Sequence, residues 1–526
     1  MNKLMYIIII SFVYKIKLNG VYRIDSCKNN YSLTLSNNKL IFAKKQKNNN
    51  QLFRILHKKK DIYSIESVIL NKTIVLNEKN EIMLENYEKT DKSVLDWYFL
   101  EIHKNNYLIQ NKKTKKFLEQ KNNLLQCLNN LSLHNLKKIE NDFLFNFVKI
   151  YEEVDNNSED ILKVEKEPID VVIKYIDLTD KSLNRTGIKQ IHKDEDNEEL
   201  RYSIRSILSN IPWIRKIYII MPNNNVKYFK PLDEIKEKII YVKDKDLLGF
   251  DSANIVAFLI NLYKMENFGV SKNFLYMDDD CFIGQNLKKS DFFYYDKKEK
   301  QVVPCIISYY FWEVNKSEIY KEFNKLLKTK KSIKLQSHKE WKLSLINNAK
   351  FIVDNYRGPF IYSSPTHNTV PFNIDDLKEI YIAIKHKYRY ANTIIYSIER
   401  NIFGFHYQQL YNLYQINVKK RKVKYLEYKY YNVKRISINK LYAKLFVINT
   451  DGDSKYSRKD FLNSKKVLQE RFPIPTKYEI IQNRKYSFNK LISLIFIFFL
   501  FIILILLKFK IDFYYKIIKK YKKIII

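Results

Sequence analysis

Cysteine is scarce in this chain of 526 residues, four in all, which is too few for a disulfide scaffold. Cys281 and Cys305 lack the spacing of metal ligands, while Cys27 and Cys127 are candidates to pair across the first domain if the compartment is oxidising. Acidic residues are also short, 57 against 93 Lys and Arg, for a formal net charge of +36. That excess invites a nucleic-acid or anionic-membrane reading. However, no RNA- or DNA-binding motif accompanies it and Lys is spread through nearly every segment, so it is read as composition, with no nucleic-acid partner. With 46% hydrophobic residues there is ample material for burial, and the length exceeds one core, so two or three domains are expected.

Long apolar runs lie at the two ends. Met5 to Tyr14 is too short to cross a bilayer and suits a signal peptide over 1–19, with cleavage near Gly20. Leu491 to Leu507, between Lys490 and Lys508, is about the minimum for a transmembrane helix, expected over 490–508. Lys519, Lys520, Lys522 and Lys523 beyond it mark 509–526 as a basic cytosolic tail. The body is then expected in the lumen of the ER or Golgi, anchored to the secretory-pathway membrane by that single helix. Sequons at Asn30, Asn71, Asn130, Asn156, Asn184 and Asn315 permit glycosylation there.

Between residues 20 and 150 the chain repeats. Tyr22-Arg-Ile24, Tyr63-Ser-Ile65 and Tyr107-Leu-Ile109 recur about every 40 to 45 residues, each followed by a second short apolar run and an aromatic strand. Three such units predict an all-β, trefoil-like domain, and the Tyr107 unit resembles the ricin-type lectin repeat. Residues 151–168, acidic and ending at Pro168, read as a linker.

From Ile169 the pattern changes to strands alternating with helices. Buried strands are expected around Val171, over Arg215–Pro222 and over Ile239–Val242; a helix over Leu200–Leu208 is expected to bury Leu200, Ile204 and Leu208 and leave Arg201 and Arg205 nearer the surface. A second helix, capped at Ser252, should run to Met265. This alternation predicts an α/β fold with a doubly wound, mostly parallel sheet over 169–480. The centre of the region is Asn273-Phe-Leu-Tyr-Met-Asp-Asp-Asp-Cys-Phe-Ile-Gly284, an apolar strand ending in three carboxylates. Adjacent carboxylates repel, so a site that keeps them together needs a cation, and hard divalent ions prefer oxygen. Strand alternation lets Asp278 and Asp280 share a face while Asp279 turns away.

The order of motifs resembles the Stealth family of sugar-phosphate transferases. Ile169 to Asp180 follows that family's IDVVYTWVDGSD. Leu200 to Ile207, Pro212 to Met221, Phe250 to Val256 and Phe274 to Gly284 are similar to its LRYSLRSI, PWVRNIFIVT, FNSNAIE and FIYLNDDxFxG. His367 and Pro371 keep HxPxPL, with Thr369 where Pro is usual; Phe446 to Thr450 resembles FCIND, and Phe472 to Glu479 resembles FPIPSxFE. Asp278 stands where the family has Asn, which implies that Asp278→Asn is tolerated.

The resemblance implies a fold like other nucleotide-sugar transferases and transfer of a sugar 1-phosphate from a UDP-sugar to a hydroxyl of a glycan or glycoprotein, with release of UMP. Asp180, Asp279 and Asp280 are the implied ligands of Mg²⁺ or Mn²⁺, with His367 as general base and Asp279 and Arg400 beside it as catalytic groups. Asp177, Arg205, Asp278, Asn449 and Asp451 are the implied substrate contacts. Two alternatives stand: a metal-dependent glycosyltransferase releasing UDP, and a non-catalytic glycan-binding membrane protein.

Overall fold

The structure is a computed structural model. It describes the strands between 20 and 151, then 158–176, 198–222, 226–250, 255–307, 311–328, 336–396, 403–449 and 457–480 apart from a few interior positions, and 505 and 507–510. The predicted signal peptide, Cys27 and Ser252 fall outside the described residues. Residues 228–230 and 477–526 form one compact unit and the rest another. Within the smaller unit, Lys230 N–H donates to Tyr478 O at 2.9 Å.

The first region has twelve strands: β1 (Gly20–Ser26), β2 (Tyr31–Ser36), β3 (Lys39–Lys44), β4 (Leu52–Lys59), β5 (Ile62–Ser67), β6 (Thr73–Leu76), β7 (Ile82–Glu85), β8 (Trp97–His103), β9 (Asn106–Asn111), β10 (Phe117–Lys121), β11 (Leu124–Leu128) and β12 (Phe145–Tyr151). All pairings among them are antiparallel. β1, β4, β5, β8, β9 and β12 close into a ring, and β2–β3, β6–β7 and β10–β11 are hairpins. Strand alternation sets the two faces of β1. Tyr22 and Ile24 join Phe42, Phe53, Ile65, Trp97 and Ile109 in the core of this region, where Trp97 Nε1 donates to Ile74 O at 3.2 Å. Val21, on the other face, packs with Leu52, Ile306, Phe311, Ile361 and Val423 in a second cluster shared with the later region. Arg23 is on this face too; it grips Asp25 with two hydrogen bonds and reaches Glu313 at 3.4 Å. The stretch read as a linker contains a helix, Ser158–Lys166, that buries Val164.

The later region is built on a five-stranded sheet ordered β15 (Ile239–Lys243), β14 (Ile217–Met221), β13 (Ile169–Lys174), β16 (Asn273–Asp278) and β22 (Val370–Asn373). The first four strands are parallel and fully apolar at their centres, as expected for strands covered on both faces. The expectation of a doubly wound, mostly parallel architecture is nonetheless overturned. β22 lies antiparallel to β16, and around the sheet stand antiparallel pairs, β18 (Phe293–Asp296) with β19 (Gln301–Pro304) and β20 (Phe311–Val314) with β21 (Phe360–Ser363). A mixed three-stranded sheet joins β17 (Cys281–Ile283), β24 (Leu445–Asn449) and β23 (Tyr428–Asn432). The physical reason lies just after β16: the chain leaves the sheet at once to pair β17 with β24, so no further parallel crossover is made there and the edge is left to β22. That strand carries Pro371, which has no N–H to give a further neighbour and is tolerated because β22 is outermost.

The expected transmembrane helix is not found: among the described residues no helix is long and apolar enough to cross a membrane, and the run expected to form it, 490–508, lies outside them except at 505, 507 and 508. Ile505 and 507–510, at the end of that run and the start of the basic tail, are helical.

Other elements match the sequence reading with local differences. The expected helix at Leu200 is Glu199–Asn210, burying Leu200 and Ile204, but Arg205 is also buried, at 6% exposure, because a second layer covers that face. The helix expected to reach Met265 ends at Ile260 and continues as a 3₁₀ segment, Leu262–Phe268, closed by Gly269 at φ 79°, a left-handed conformation suited to glycine. Gly284 follows β17 where the backbone of Ala443 passes so close that a Cβ would overlap its carbonyl oxygen. Gly284→Ala is therefore expected to destabilise the protein by about 1–3 kcal/mol, the usual cost of overpacking, read as a lower denaturant midpoint. An unchanged midpoint would show that the contact yields freely.

Candidate functional site

The parallel strands deliver their C-terminal ends to one edge, and β16 ends there in Asp278. Asp278 sits in register with Lys174 at the end of β13. The next residues turn, and β17 starts at Cys281, held by the helix Glu199–Asn210: Ser203 Oγ donates to Cys281 O at 2.7 Å, and Ser206 Oγ accepts from Ile283 N–H at 3.0 Å. On its other side β24 donates Ile448 N–H to Asp280 O. The acidic triplet is thus fixed from both directions.

Two of its carboxylates meet one imidazole. His367 Nε2 lies 3.1 Å from Asp278 Oδ2 and 3.4 Å from Asp280 Oδ1. His367 comes from the segment leading into β22, whose pairing with β16 carries it past the strand end. Each carboxylate has further partners. Tyr276 Oη donates to Asp278 Oδ1 at 2.7 Å, Gln408 Nε2 approaches Asp278 Oδ2 at 3.4 Å, and Asn449 Nδ2 donates to Asp280 Oδ2 at 2.8 Å. Cys281 completes a group of four whose candidate ligand atoms all lie within 4.8 Å of one another.

Asp279 is not one of the four. It is half-buried, and its charge acts on Lys174, whose Nζ is held by both Asp244 oxygens at 2.6 and 2.8 Å. Burial lowers the Lys174 pKa against the opposing pull of Asp244 and Asp279. Arg205 is committed elsewhere: Nη1 donates to Phe472 O at 2.8 Å and its guanidinium lies over the Tyr202 ring. Asp177, Asp180, Arg400 and Asp451 lie outside the described residues. Of the residues predicted from sequence, the structure therefore brings together Asp278, Asp280, His367 and Asn449. It adds Tyr276 and Gln408, which the sequence reading did not single out, and Cys281, which that reading set aside for lacking metal-ligand spacing. Tyr276 was findable, since a residue two places before Asp278 on a strand shares its face. Gln408 was not, because every residue of its helix, Tyr407–Tyr414, is buried and no periodic signal marks one face.

The electrostatics follow from this crowding. Burial works against a proton on His367, but Asp280 and Asp278 together overcome it and raise the imidazole well above its ordinary 6.5. Burial likewise works against ionised Asp278, and His367, Tyr276 and Gln408 outweigh it, lowering that carboxyl below 3.8. Burial, then Asp280 and Asp278, push the Cys281 thiol far up, so it stays protonated and is a poor ligand for a hard ion. Oxygen donors from Asp278 and Asp280 remain, which suits Mg²⁺ or Mn²⁺.

A pH dependence follows for the cation-free protein. A raised histidine contributes stability that is full below about pH 6.5 and is lost as pH rises through the folded value; the lowered Asp278 contributes above about pH 4 and loses it as pH falls through its own. In EDTA, the stability gap between wild type and His367→Gln should be widest near pH 5–6 and shrink in alkali. A gap independent of pH in thermal melts would mean that the imidazole is not held protonated.

Comparison with known proteins adds an independent line. Residues 193–301 match Stealth protein CR2, conserved region 2, a span that contains the acidic triplet but not His367. Over 110 residues, 20% of this chain and 28% of the relative, the chain is 38% identical to capsular polysaccharide phosphotransferase cps1A of Actinobacillus pleuropneumoniae. It is 33% identical over 108 residues to the human N-acetylglucosamine-1-phosphotransferase subunits alpha/beta, covering 20% of this chain and 8% of that protein. The chain thus matches 28% of the length of the first of these relatives and 8% of the second. A designed 3-fold symmetric protein, ThreeFoil, aligns at 12% identity over 25% of this chain and all of that one, with a TM-score of 0.22, which carries no conclusion.

Proposed function

From the Stealth conserved region 2 at 193–301 and the cluster at its end, we propose that this protein is an enzyme that transfers a sugar 1-phosphate from a UDP-sugar to a hydroxyl of a glycan and releases UMP. The observation that carries the reading is the convergence of Asp278, Asp280 and His367 at the C-terminal edge of a parallel sheet, where ligands of such sheets bind.

Asp278 and Asp280 would hold a divalent cation, Mg²⁺ or Mn²⁺. When bound, that ion supplies charge neutralisation on the diphosphate, so that an oxygen nucleophile can approach. His367 manages the proton. Its Nε2 faces both carboxylates, and the state of that nitrogen follows their net charge: ionised carboxylates hold the proton, and neutralised ones leave an imidazole able to accept the proton of the acceptor hydroxyl. Tyr276 and Asn449 orient the two carboxylates by donating to the oxygens that His367 does not meet. Asp279 adds a smaller pull than Asp244 on Lys174, and its carboxylate is not among the four grouped ligand atoms.

Incubation of the protein with nucleotide sugars, Mn²⁺ and a glycan acceptor tests the reading by the nucleotide released. UMP is expected. UDP would support the glycosyltransferase alternative, and no nucleotide from any donor would favour a binding role.

A further inference from the structure

The three-stranded sheet that holds Asp280 from one side ends in an edge strand. β17, β24 and β23 lie in that order, and no described strand continues beyond β23. Their register sorts the side chains into two faces. Phe282, Phe446, Ile448 and Tyr431 point one way, into an apolar core. Cys281, Val447 and Tyr430 are aligned across the three strands, and Asn449 is aligned with Asn432, so these and Tyr428 share the other face, where Cys281 and Asn449 meet the carboxylates. Tyr430 is two strand spacings from Cys281, about 10 Å between Cα atoms. Tyr428, the next residue on this face, lies against the cluster itself: burial, then Cys281, Asp280 and Tyr430, raise its pKa, and the His367 main-chain N–H meets its hydroxyl and opposes the rise. At the edge this face reaches solvent, with Tyr430 43% exposed and Tyr428 and Asn432 half-buried.

The chemistry of this edge narrows its occupant. Lys429 alternates to the opposite face, so the three residues that β23 turns towards the site are uncharged. A diphosphate would find no cation on them. A sugar fits better: its apolar C–H face packs on an aromatic ring, and its hydroxyls suit a phenol and an amide, each both donor and acceptor. The proposed reaction puts the donor's diphosphate at Asp278 and Asp280 and requires the acceptor hydroxyl at His367. β23 is the strand that meets His367 through Tyr428 and offers an exposed ring on the same face through Tyr430. None of the motifs that resemble the Stealth family includes residues 428–432.

We propose that Tyr430 is the platform on which the sugar of the acceptor glycan stacks beside His367. This rests on the sugar-phosphate transfer reading and deepens it by naming the acceptor side of the site. Tyr430 binds the acceptor and takes no part in holding the donor or moving the phosphate.

Tyr430→Ala removes the ring and Tyr430→Phe keeps it. The test follows UMP release by the full chain from a UDP-hexose in Mn²⁺, against rising concentrations of the neutral oligosaccharide that most accelerates it in a panel. Tyr430→Ala should raise the KM for that oligosaccharide about tenfold, and leave unchanged both the KM for the UDP-hexose and the slow release seen without oligosaccharide. Tyr430→Phe should keep most of the oligosaccharide affinity. An unchanged oligosaccharide KM in Tyr430→Ala would overturn the proposal, as would an equal rise in both KM values, which would assign the ring to the donor. Release of UMP that no oligosaccharide accelerates would overturn it too. If Tyr430→Ala does not fold, Tyr430→Leu, apolar but not planar, carries the same comparison. Failure of the underlying reading is separate: wild type would then release no UMP, and calorimetry of the same oligosaccharides with wild type and Tyr430→Ala would decide the platform alone, equal or absent binding counting against it.

Discussion

If the proposed reaction holds, Asp280→Asn is expected to lower divalent-dependent UMP release by roughly 10³-fold while the protein stays folded, because the charge lost is one of the two that would face the proposed cation and diphosphate. Asp280 is also the carboxylate with less freedom to adapt. Its side chain is 11% exposed against 22% for Asp278, with Oδ1 facing His367 and Oδ2 accepting from Asn449, so it has less room to shift when an amide replaces the carboxylate. Asp278→Asn should fall less, by about tenfold, since an amide oxygen still accepts from Tyr276 and still offers a ligand atom. His367→Gln separates binding from chemistry: Mn²⁺ affinity should persist while turnover falls by about 10²–10⁴-fold, the usual worth of a proton-transfer group. Equal activity in Asp280→Asn and wild type, with Mn²⁺ affinity unchanged, would reduce the cluster to a structural knot.

The largest effect on stability is expected far from that site, at Arg421. Its side chain is 1% exposed and holds four acidic or amide partners: Glu299 at 2.8 and 2.9 Å, Asp296 at 3.4 Å, Asp376 at 3.6 Å and the Gln415 side chain at 3.3 Å. Asp376 is itself 2% exposed; burial raises its pKa despite the opposing charges of Arg421 and Lys419. Arg421→Met leaves the buried Asp376 carboxylate with Lys419 as the cation still beside it, and removal of one partner from such a buried pair costs about 3–5 kcal/mol. The denaturant midpoint should fall accordingly. Asp376→Asn combined with Arg421→Met should recover part of the loss, because it removes a stranded charge. A loss under 1 kcal/mol for the single variant would show that water reaches the network.

These two sites were not equally legible in the sequence. The face shared by Asp278 and Asp280 followed from strand alternation, and Gly269 and Gly284 on either side favoured a strand over a buried helix for the apolar run before them. Their meeting with His367 could not be read in the same way, since it depends on β22 returning antiparallel beside β16 over nearly a hundred residues, in a strand whose Pro371 argues locally against a strand at all. The same blind spot explains the sheet: alternating strands and helices reveal the parallel core β13–β16 but say nothing of which later segment takes its edge. Arg421 was hidden for another reason. In a chain this rich in Lys and Arg, a buried arginine has no mark in the sequence, and its partners at 296, 299 and 376 are distant along the chain.

The most direct test of sugar-phosphate transfer follows the atom on which the alternatives disagree. A UDP-sugar carrying ³²P at the β-phosphorus, incubated with the protein, Mn²⁺ and acceptor, should place the label in the acceptor product while unlabelled UMP is released. Label retained in the released nucleotide would mean that the bond broken is the one between sugar and phosphate, which would contradict the proposed reaction.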